Sequence, residues 1–551
     1  MNSSNEAKLQ NFLIWGSAHG VHFSENCEFK YDHVKGISCV YQGNAPNSEP
    51  INVYAPYTAI VNGEYAQNCL EKALKKSLPS CNASVLLIWF LCYSRFGSEQ
   101  MKRHFQKHKE YVDLLPAVVD TPLLWTDNAE LEALTNTNIF ASRQQKLDEL
   151  ARNWTSEKAI FGLAGTETTP TDNSHQVKPT DLAAYMWAYT IVTSRSFPEY
   201  VVNPDVTDKS RCVLVPFVDL LNHNPSARVE WSNTQTRARH NTGFNVKCDS
   251  IFSKGDEVLN NYGIKSNEEL LFGYGFVIEN NTADYLSLKL KLDENTYRAL
   301  IKKGIQLNTA SDYTTNAFEL SENNLPTHTT NDEKIDKLVS EGAFFLLRKG
   351  DPHKVIKNLV SLFAYIEHGT ADPTDLQAQL KGIRVLYENV QSKLKLLPTD
   401  EKLNELSKKA GNPYHVECAR TYVGSARKIL SYSMKYLEVL EQKKVKKHGA
   451  QCLTPKHLSM HPEVADFIRT SAHGAPLLEY DTELLLVIHS LVLGTDCSDQ
   501  DISGVDEERI DEMSEILCSV KITISKKRLA QILSFYDERA QETLSGEILI
   551  F

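Results

Sequence analysis

V-P-F-V-D-L-L-N-H-N, from Val215 to Asn224, and N-Y-G-I-K-S-N-E-E-L-L-F-G-Y-G-F, from Asn261 to Phe276, are the two runs on which the reading of this chain turns. The first is a short apolar stretch that ends in polar residues. Taken alone, residues 219–225 form a strand-ending turn, because Asn, His, Asp and Pro all favour turns and caps. The same residues also offer a ligand a few fixed donors and acceptors inside an apolar setting. In the second run, residues 265–271 have the pattern of a helix start, with Ser266 or Asn267 as its cap. Such a helix carries Tyr274 back toward Tyr262. One reading is two aromatic core residues with glycines for tight turns. The other is two phenols converging on one channel.

Around these runs the pattern changes along the chain. The first 65 residues read as β structure, with short β-rich runs at 37–41 and 51–54 and a turn region rich in Gly, Asn and Pro between them. From residue 67 to about 150 the spacing becomes helical, notably at 84–96 and 101–115. Residues 165–180, rich in Thr, Pro, Asp, Asn and Ser, read as a surface loop, and 181–196 return to helix with Thr180 or Asp181 as cap. Residues 213–218 read as a buried strand, 242–250 as an alternating one, and 258–262 as a third that follows a turn at 254–257. A β segment, a long helical insertion, then more short β segments point to one split β domain rather than a parallel α/β fold. Past residue 330 the spacing is helical throughout: 335–347, 355–366 with Gly369 as a stop, 376–397 and 415–442. The last hundred residues read as mainly helical with a β-rich run at 520–524, and no function is assigned to them.

Composition narrows the class. A chain of 551 residues is too long for one ordinary core, so two or three domains are expected. Its 42% hydrophobic and 23% charged content is that of a soluble globular protein. The longest apolar runs, at 85–93 and 484–493, fall short of the roughly 20 apolar residues a membrane span needs, and the polar start shows no secretory pattern. Eleven cysteines are scattered with no C-x-x-C or C-x-C pair, so free thiols in a reducing compartment are expected and no metal site. A net charge of −11, from 59 basic and 70 acidic residues, argues against nucleic acid as the direct ligand. No phosphate-binding glycine loop and no G-x-S-x-G elbow is present. The basic run at 443–448 reads as a solvated helix end, with a nuclear-localisation signal as the alternative.

In this order, the two runs resemble the C-terminal signature segments of SET-domain protein-lysine methyltransferases of the RuBisCO large-subunit methyltransferase-like class. The likeness extends further. Trp187-Ala188 with Ser194-Arg195 resembles the family's helix before the Asn-His segment, residues 111–116 with 123–125 resemble its inserted region, and 419–430 resemble, more loosely, a helix of its C-terminal domain. The resemblance implies an α+β fold: a split, β-rich SET domain over residues 12–285 with a helical insertion at about 67–185, then an all-α substrate-binding domain over 300–551. It implies S-adenosylmethionine as cofactor, held by Asn222, His223, Arg195, Ser194, Asp219, Tyr262, Tyr274 and Gly36, with Arg195 facing the cofactor carboxylate, where a guanidinium suits a bidentate task. Tyr262 is the implied catalytic tyrosine. The family's first cofactor turn is usually richer in glycine than the His33–Ser38 stretch here, where Gly36 is the single one.

By the same resemblance, the expected activity is methyl transfer to a lysine of a protein substrate, a ribosomal protein or an elongation factor, by a cytoplasmic, also nuclear, monomer without a membrane partner. Two rivals stay open: a histidine acceptor on the same fold, and a non-catalytic SET-like module that binds a protein partner.

Overall fold

A computed structural model describes residues 2–32, 36–162, 177–234, 243–309, 331–349, 353–449, 452–471, 482–519 and 522–551. The chain divides into two compact units, one holding Met1–Ser287 and Leu397–Arg427, the other Leu288–Ala310, Thr329–Leu396 and Lys428–Phe551.

The strands of the first unit are β1 His22–Phe23, β2 Cys27–Asp32, β3 Gly36–Tyr41, β4 Ile51–Pro56, β5 Ser196–Pro198, β6 Cys212–Leu214, β7 Val229–Thr234, β8 Gly243–Cys248 and β9 Glu257–Val258. They form three small sheets, in the orders β1-β4-β8-β7, β2-β3-β9 and β5-β6, all antiparallel. The period-two pattern sets the register: Ile51, Val53 and Ala55 lie opposite Cys248, Val246 and Phe244, and all six are buried. A one-residue slip would turn that row to solvent.

Between β4 and β5 runs the helical insertion, with Gly63–Leu74, Ala83–Phe96, Asn138–Phe161 and Leu182–Arg195 as its main helices. Asn62, Asn82 and Thr137 each cap one of them through a side-chain oxygen. Asp181 precedes the fourth, but its carboxylate takes the Lys178 N–H instead. Ala83–Phe96 is buried on every side from Leu86 to Tyr93, as befits a core helix. Residues 101–115 are not one helix. They break at the turn Arg103–His108, where the buried His108 ring sits 3.2 Å from both the Tyr65 hydroxyl and the Ala59 carbonyl.

The start of the chain also departs from its β reading. Asn2–Ala18 is a helix, and Leu9, Phe12 and Trp15, at helical spacing, enter the core of the unit. A Cβ on Gly16 would lie 2.2 Å from Phe217 Cζ, so glycine lets this helix press against the Phe217 ring.

The second unit is helical, with two short ladders that the sequence did not announce: β10 Tyr285–Leu290 with β11 Ala343–Arg348, and β12 Ala540–Glu542 with β13 Ile548–Ile550. The helix expected over 335–347 stops at Glu341. Gly342 takes φ +90°, and a Cβ there would stand 2.9 Å from the Leu290 carbonyl, so the helix ends and β11 begins. His353–His368 and Leu376–Leu396 follow the expected spacing, and Gly369 closes the former at φ +72°. Helices within 455–539 gather their own apolar cluster, which includes Leu458, Val464, Val487, Leu517 and Ile532. Of the run at 520–524, Val520 and Lys521 lie outside the described residues and 522–524 form no strand. Most of the loop read at 165–180 also lies outside them. No described helix is long and apolar enough to cross a membrane.

Candidate functional site

The strand expected over 213–218 ends at Leu214, and the chain then turns sharply. Phe217 adopts φ +72°, ψ −45°, a conformation L residues reach at a cost of about 1–3 kcal/mol. Its ring offsets that cost in the core, stacked 4.2 Å from Phe12 and set edge-on to Phe29 at 5.6 Å. The bend leads into the single turn Val218–Leu220 and aims Leu221, Asn222 and His223 at the segment after β9.

There the two runs meet. The Asn260 N–H donates to the Asn222 carbonyl (2.7 Å), and the Asn224 N–H to the Asn260 carbonyl (2.9 Å), a parallel bridge centred on His223. Asn222 Nδ2 donates to the Ile37 carbonyl at 3.2 Å and to Glu257 Oε1 at 2.7 Å, so one amide ties β3, β9 and this corner together. The Tyr262 N–H donates to His223 Nδ1 (3.0 Å), and its hydroxyl donates to the Leu221 carbonyl (2.8 Å). Tyr262 is thus held at both ends by residues 221–223. Its ring lies 4.8 Å from the His223 ring, nearly parallel, and 5.2 Å from that of Tyr274. Gly263, at φ +109°, makes the turn out of this segment.

Tyr274 arrives by the helix Asn267–Tyr274. Its start is a capping box in which Ser266 and Glu269 each satisfy the other's backbone N–H. Its end is Gly275 at φ +82°, pressed so closely on Asp120 that a Cβ would lie 2.7 Å from the Asp120 carbonyl carbon. The Lys265 ammonium stands 5.8 Å above the Tyr274 ring.

On the other side, Arg195 ends the helix Leu182–Arg195. Its Nη1 donates to the Asp219 carbonyl (2.8 Å) and lies 3.9 Å from Asp219 Oδ2. Ser194 Oγ donates back to the Thr190 carbonyl of its own helix (2.6 Å). Gly36 sits at φ +78° opposite Asp32 in the β2–β3 hairpin. His33, Val34 and Lys35, on which the reading of the first cofactor turn also rested, lie outside the described residues.

Burial decides the protonation states. It pulls His223 down to about 4, helped by the Lys265 charge, so the ring is neutral near pH 7. With Nδ1 accepting from Tyr262, the ring proton then resides on Nε2. Burial pushes Tyr262 up to about 12, against the pull of Arg195, and holds its phenol neutral. Burial likewise raises Asp219 to about 6, with Arg195 and Tyr111 pulling the other way. Three buried polar atoms of these segments have no hydrogen-bond partner among the described residues: His223 Nε2, Asn260 Nδ2 and Asp219 Oδ1. Such groups are costly unless something pairs with them. Beside the Tyr262 and Tyr274 rings, they suit a ligand with polar edges. No described group of three or more His, Cys, Asp or Glu is arranged to hold a metal, and all eleven cysteines are free thiols.

The structure therefore gathers Asn222, His223, Tyr262 and Tyr274 in one constellation and sets Arg195 against Asp219 beside it. Sequence reasoning missed Asn260, Glu257 and the Leu221 carbonyl, and had Tyr111 only within the resemblance to the inserted region, with no role. Asn260 could have been flagged as the neighbour of Asn261 and Tyr262. The other three act through backbone or across more than 30 residues.

No family model matches the chain. It is 29% identical over 495 residues to Ribosomal lysine N-methyltransferase 1 of Saccharomyces cerevisiae, which covers 83% of this chain and 81% of that protein. To Protein-lysine N-methyltransferase EFM1 of the same yeast it is 24% identical over 477 residues, 80% of this chain and 74% of that one. Among solved structures, the SET domain of LSMT bound to lysine and AdoHcy superposes with a TM-score of 0.55 at 17% identity, over 84% of this chain and 98% of that one. The signature segments meet as the resemblance implied, and the chain carries the SET fold of that structure.

Proposed function

We propose that this protein transfers methyl groups from S-adenosylmethionine to a lysine side chain of a protein of the translation machinery, a ribosomal protein or an elongation factor. One observation carries the reading: Tyr262 is fixed at both ends by the Asn222–His223 corner, its backbone on His223 Nδ1 and its phenol on the Leu221 carbonyl. A reaction with no metal and no covalent intermediate depends on such positioning. The names of the two yeast relatives support a ribosomal or lysine-bearing protein substrate.

The cofactor supplies a methyl group on a cationic sulfur. Around it, the Asn222–His223 backbone and the His223 Nε2–H would meet the adenine edges, with Gly36 and Ser194 close by. Arg195, steadied by Asp219, would take the carboxylate. Tyr262 and Tyr274, stacked on one another, would wall the cationic centre. The acceptor lysine must react as a neutral amine, and since a free lysine side chain titrates near 10.4, reaching that form at pH 7 costs about 4–5 kcal/mol. The buried aromatic walls disfavour an ammonium there, and the charge of Lys265 beside Tyr274 acts in the same direction. The neutral Tyr262 hydroxyl, its proton on the Leu221 carbonyl, would offer its oxygen lone pairs, with the backbone carbonyls beside it, to align the amine and stabilise the polarised methyl. The helical second unit would hold the substrate protein.

The test is direct. Purified protein with methyl-labelled cofactor and an extract of cells lacking it should label one band, whose acceptor mass spectrometry identifies as lysine. Labelled histidine would move the assignment to the rival acceptor. An absence of both labelling and calorimetric cofactor binding would leave only the protein-binding module.

A further inference from the structure

Residues 111–116 stood out in the sequence, and the reaction as described leaves them without a task. Tyr111, in the helix Lys109–Leu114, is fully buried, and its hydroxyl donates to Asp219 Oδ2 at 2.6 Å. That carboxylate has no exposed surface, and its other oxygen has no partner among the described residues. It is held by Tyr111 on one side and faced by Arg195 at 3.9 Å on the other. Asp219 also occupies the turn Val218–Leu220, whose next residue, Leu221, offers the carbonyl that receives the Tyr262 hydroxyl. Its own carbonyl receives Arg195 Nη1. One buried phenol therefore anchors the turn to which both the arginine and the central tyrosine are tied.

We propose that Tyr111 is a positioning residue for methyl transfer: its hydroxyl fixes the Asp219 turn, and through it the Arg195 guanidinium and the Leu221 carbonyl that holds Tyr262. The inference rests on the methyltransferase reading above. Three considerations support it. A hydrogen bond from a hydroxyl to a buried carboxylate belongs to the strong class. A buried carboxylate with few contacts is strongly perturbed when one is removed. Among the described residues the groups that face Asp219 are also few: Tyr111 from its helix, Arg195 from the helix Leu182–Arg195, and Tyr262 from the segment after β9. Phe12, 6.1 Å from the Tyr111 ring, closes the site with an apolar wall. Without the Tyr111 hydroxyl the carboxyl loses a contact that favours its charged form, so its titration moves up from about 6 toward neutrality. A protonated Asp219 no longer offers Arg195 a countercharge.

The experiment uses the full chain and the variants Tyr111→Phe and Asp219→Asn. In cofactor-free protein, carbon-13 NMR of labelled aspartate follows the Asp219 carboxyl, identified by its absence in Asp219→Asn. In Tyr111→Phe the midpoint should rise by about one pH unit or more. Calorimetry with S-adenosylmethionine near pH 6.5 should then show weaker binding, with the difference narrowing by pH 8. The part of the acid limb of kcat/KM that titrates near 6 should move with the NMR midpoint and disappear in Asp219→Asn, which leaves only the fall set by protonation of the acceptor lysine. An unchanged midpoint in folded Tyr111→Phe, or a component of the acid limb near pH 6 that survives in Asp219→Asn, overturns the proposal. A wild-type protein that binds no cofactor sinks the methyltransferase reading itself, and this positioning role with it.

Discussion

Replacing Tyr262 by Phe removes one oxygen and leaves the ring where it is. The contacts that survive can be read off the structure: the backbone N–H still reaches His223 Nδ1, and the stacks on His223 and Tyr274 are unaltered. What is lost is the hydroxyl bond to the Leu221 carbonyl. A buried carbonyl left without its donor costs about 1–2 kcal/mol, so the variant should fold and melt only a few degrees below wild type. The effect on turnover should be much larger. On the proposed function the hydroxyl would be a preorganised dipole at the reacting centre, and removing one such group costs about 2.7–4 kcal/mol in the transition state, a 10²–10³-fold loss in kcat. Cofactor affinity, assigned under the proposed function to the corner and the arginine, should change by less than about fivefold, a loss of roughly one hydrogen bond. Label transfer measures the first quantity and calorimetry the second. Methyl transfer within twofold of wild type, by a variant that binds cofactor normally, would refute the role given to this phenol.

Asn222→Ala removes donors to the Ile37 carbonyl and the Glu257 carboxylate, a combined cost of about 2–4 kcal/mol, and should lower the thermal midpoint more than Tyr262→Phe does. Ser266→Ala dismantles the capping box beneath Tyr274, about 0.5–2 kcal/mol, and hydrogen exchange should show the first turn of Asn267–Tyr274 opening more readily. His223 has a folded-state pKa of about 4, below its unfolded value near 6.5, so its contribution is complete above pH 6.5 and is lost as pH falls toward 4. The stability advantage of wild type over His223→Gln, measured by urea unfolding, should therefore shrink by up to about 3 kcal/mol across that window; a constant difference would contradict the neutral ring.

How far the sequence carried depends on the range of the forces involved. The helix Asn267–Tyr274 was legible because its cap, Ser266, lies next to it in the chain. The alternation of β4 and β8 was legible because one face of each is buried. Asn222, His223 and Tyr262 could be named from their order, yet no local rule announced that the Tyr262 backbone would bind the His223 ring. The Asn2–Ala18 helix was missed because polar residues surround a short apolar face, whose partner, Phe217, lies about 200 residues away in a conformation few side chains adopt. Gly342 was read as one more position on a helical face, when its close approach to the Leu290 carbonyl makes it the end of the helix. Tyr111 was visible only as part of a resemblance, since its bond to Asp219 spans 108 residues of sequence.

The central claim is that the Asn222–His223 corner and the Tyr262 phenol serve a single cofactor. A crystal structure of the protein with S-adenosylhomocysteine tests it most directly. Adenine density is expected within hydrogen-bond reach of residues 222–223, the carboxylate at Arg195 and the sulfur beside Tyr262. Density anywhere else on the molecule, or a ligand that leaves His223 Nε2 and Arg195 untouched, would contradict it.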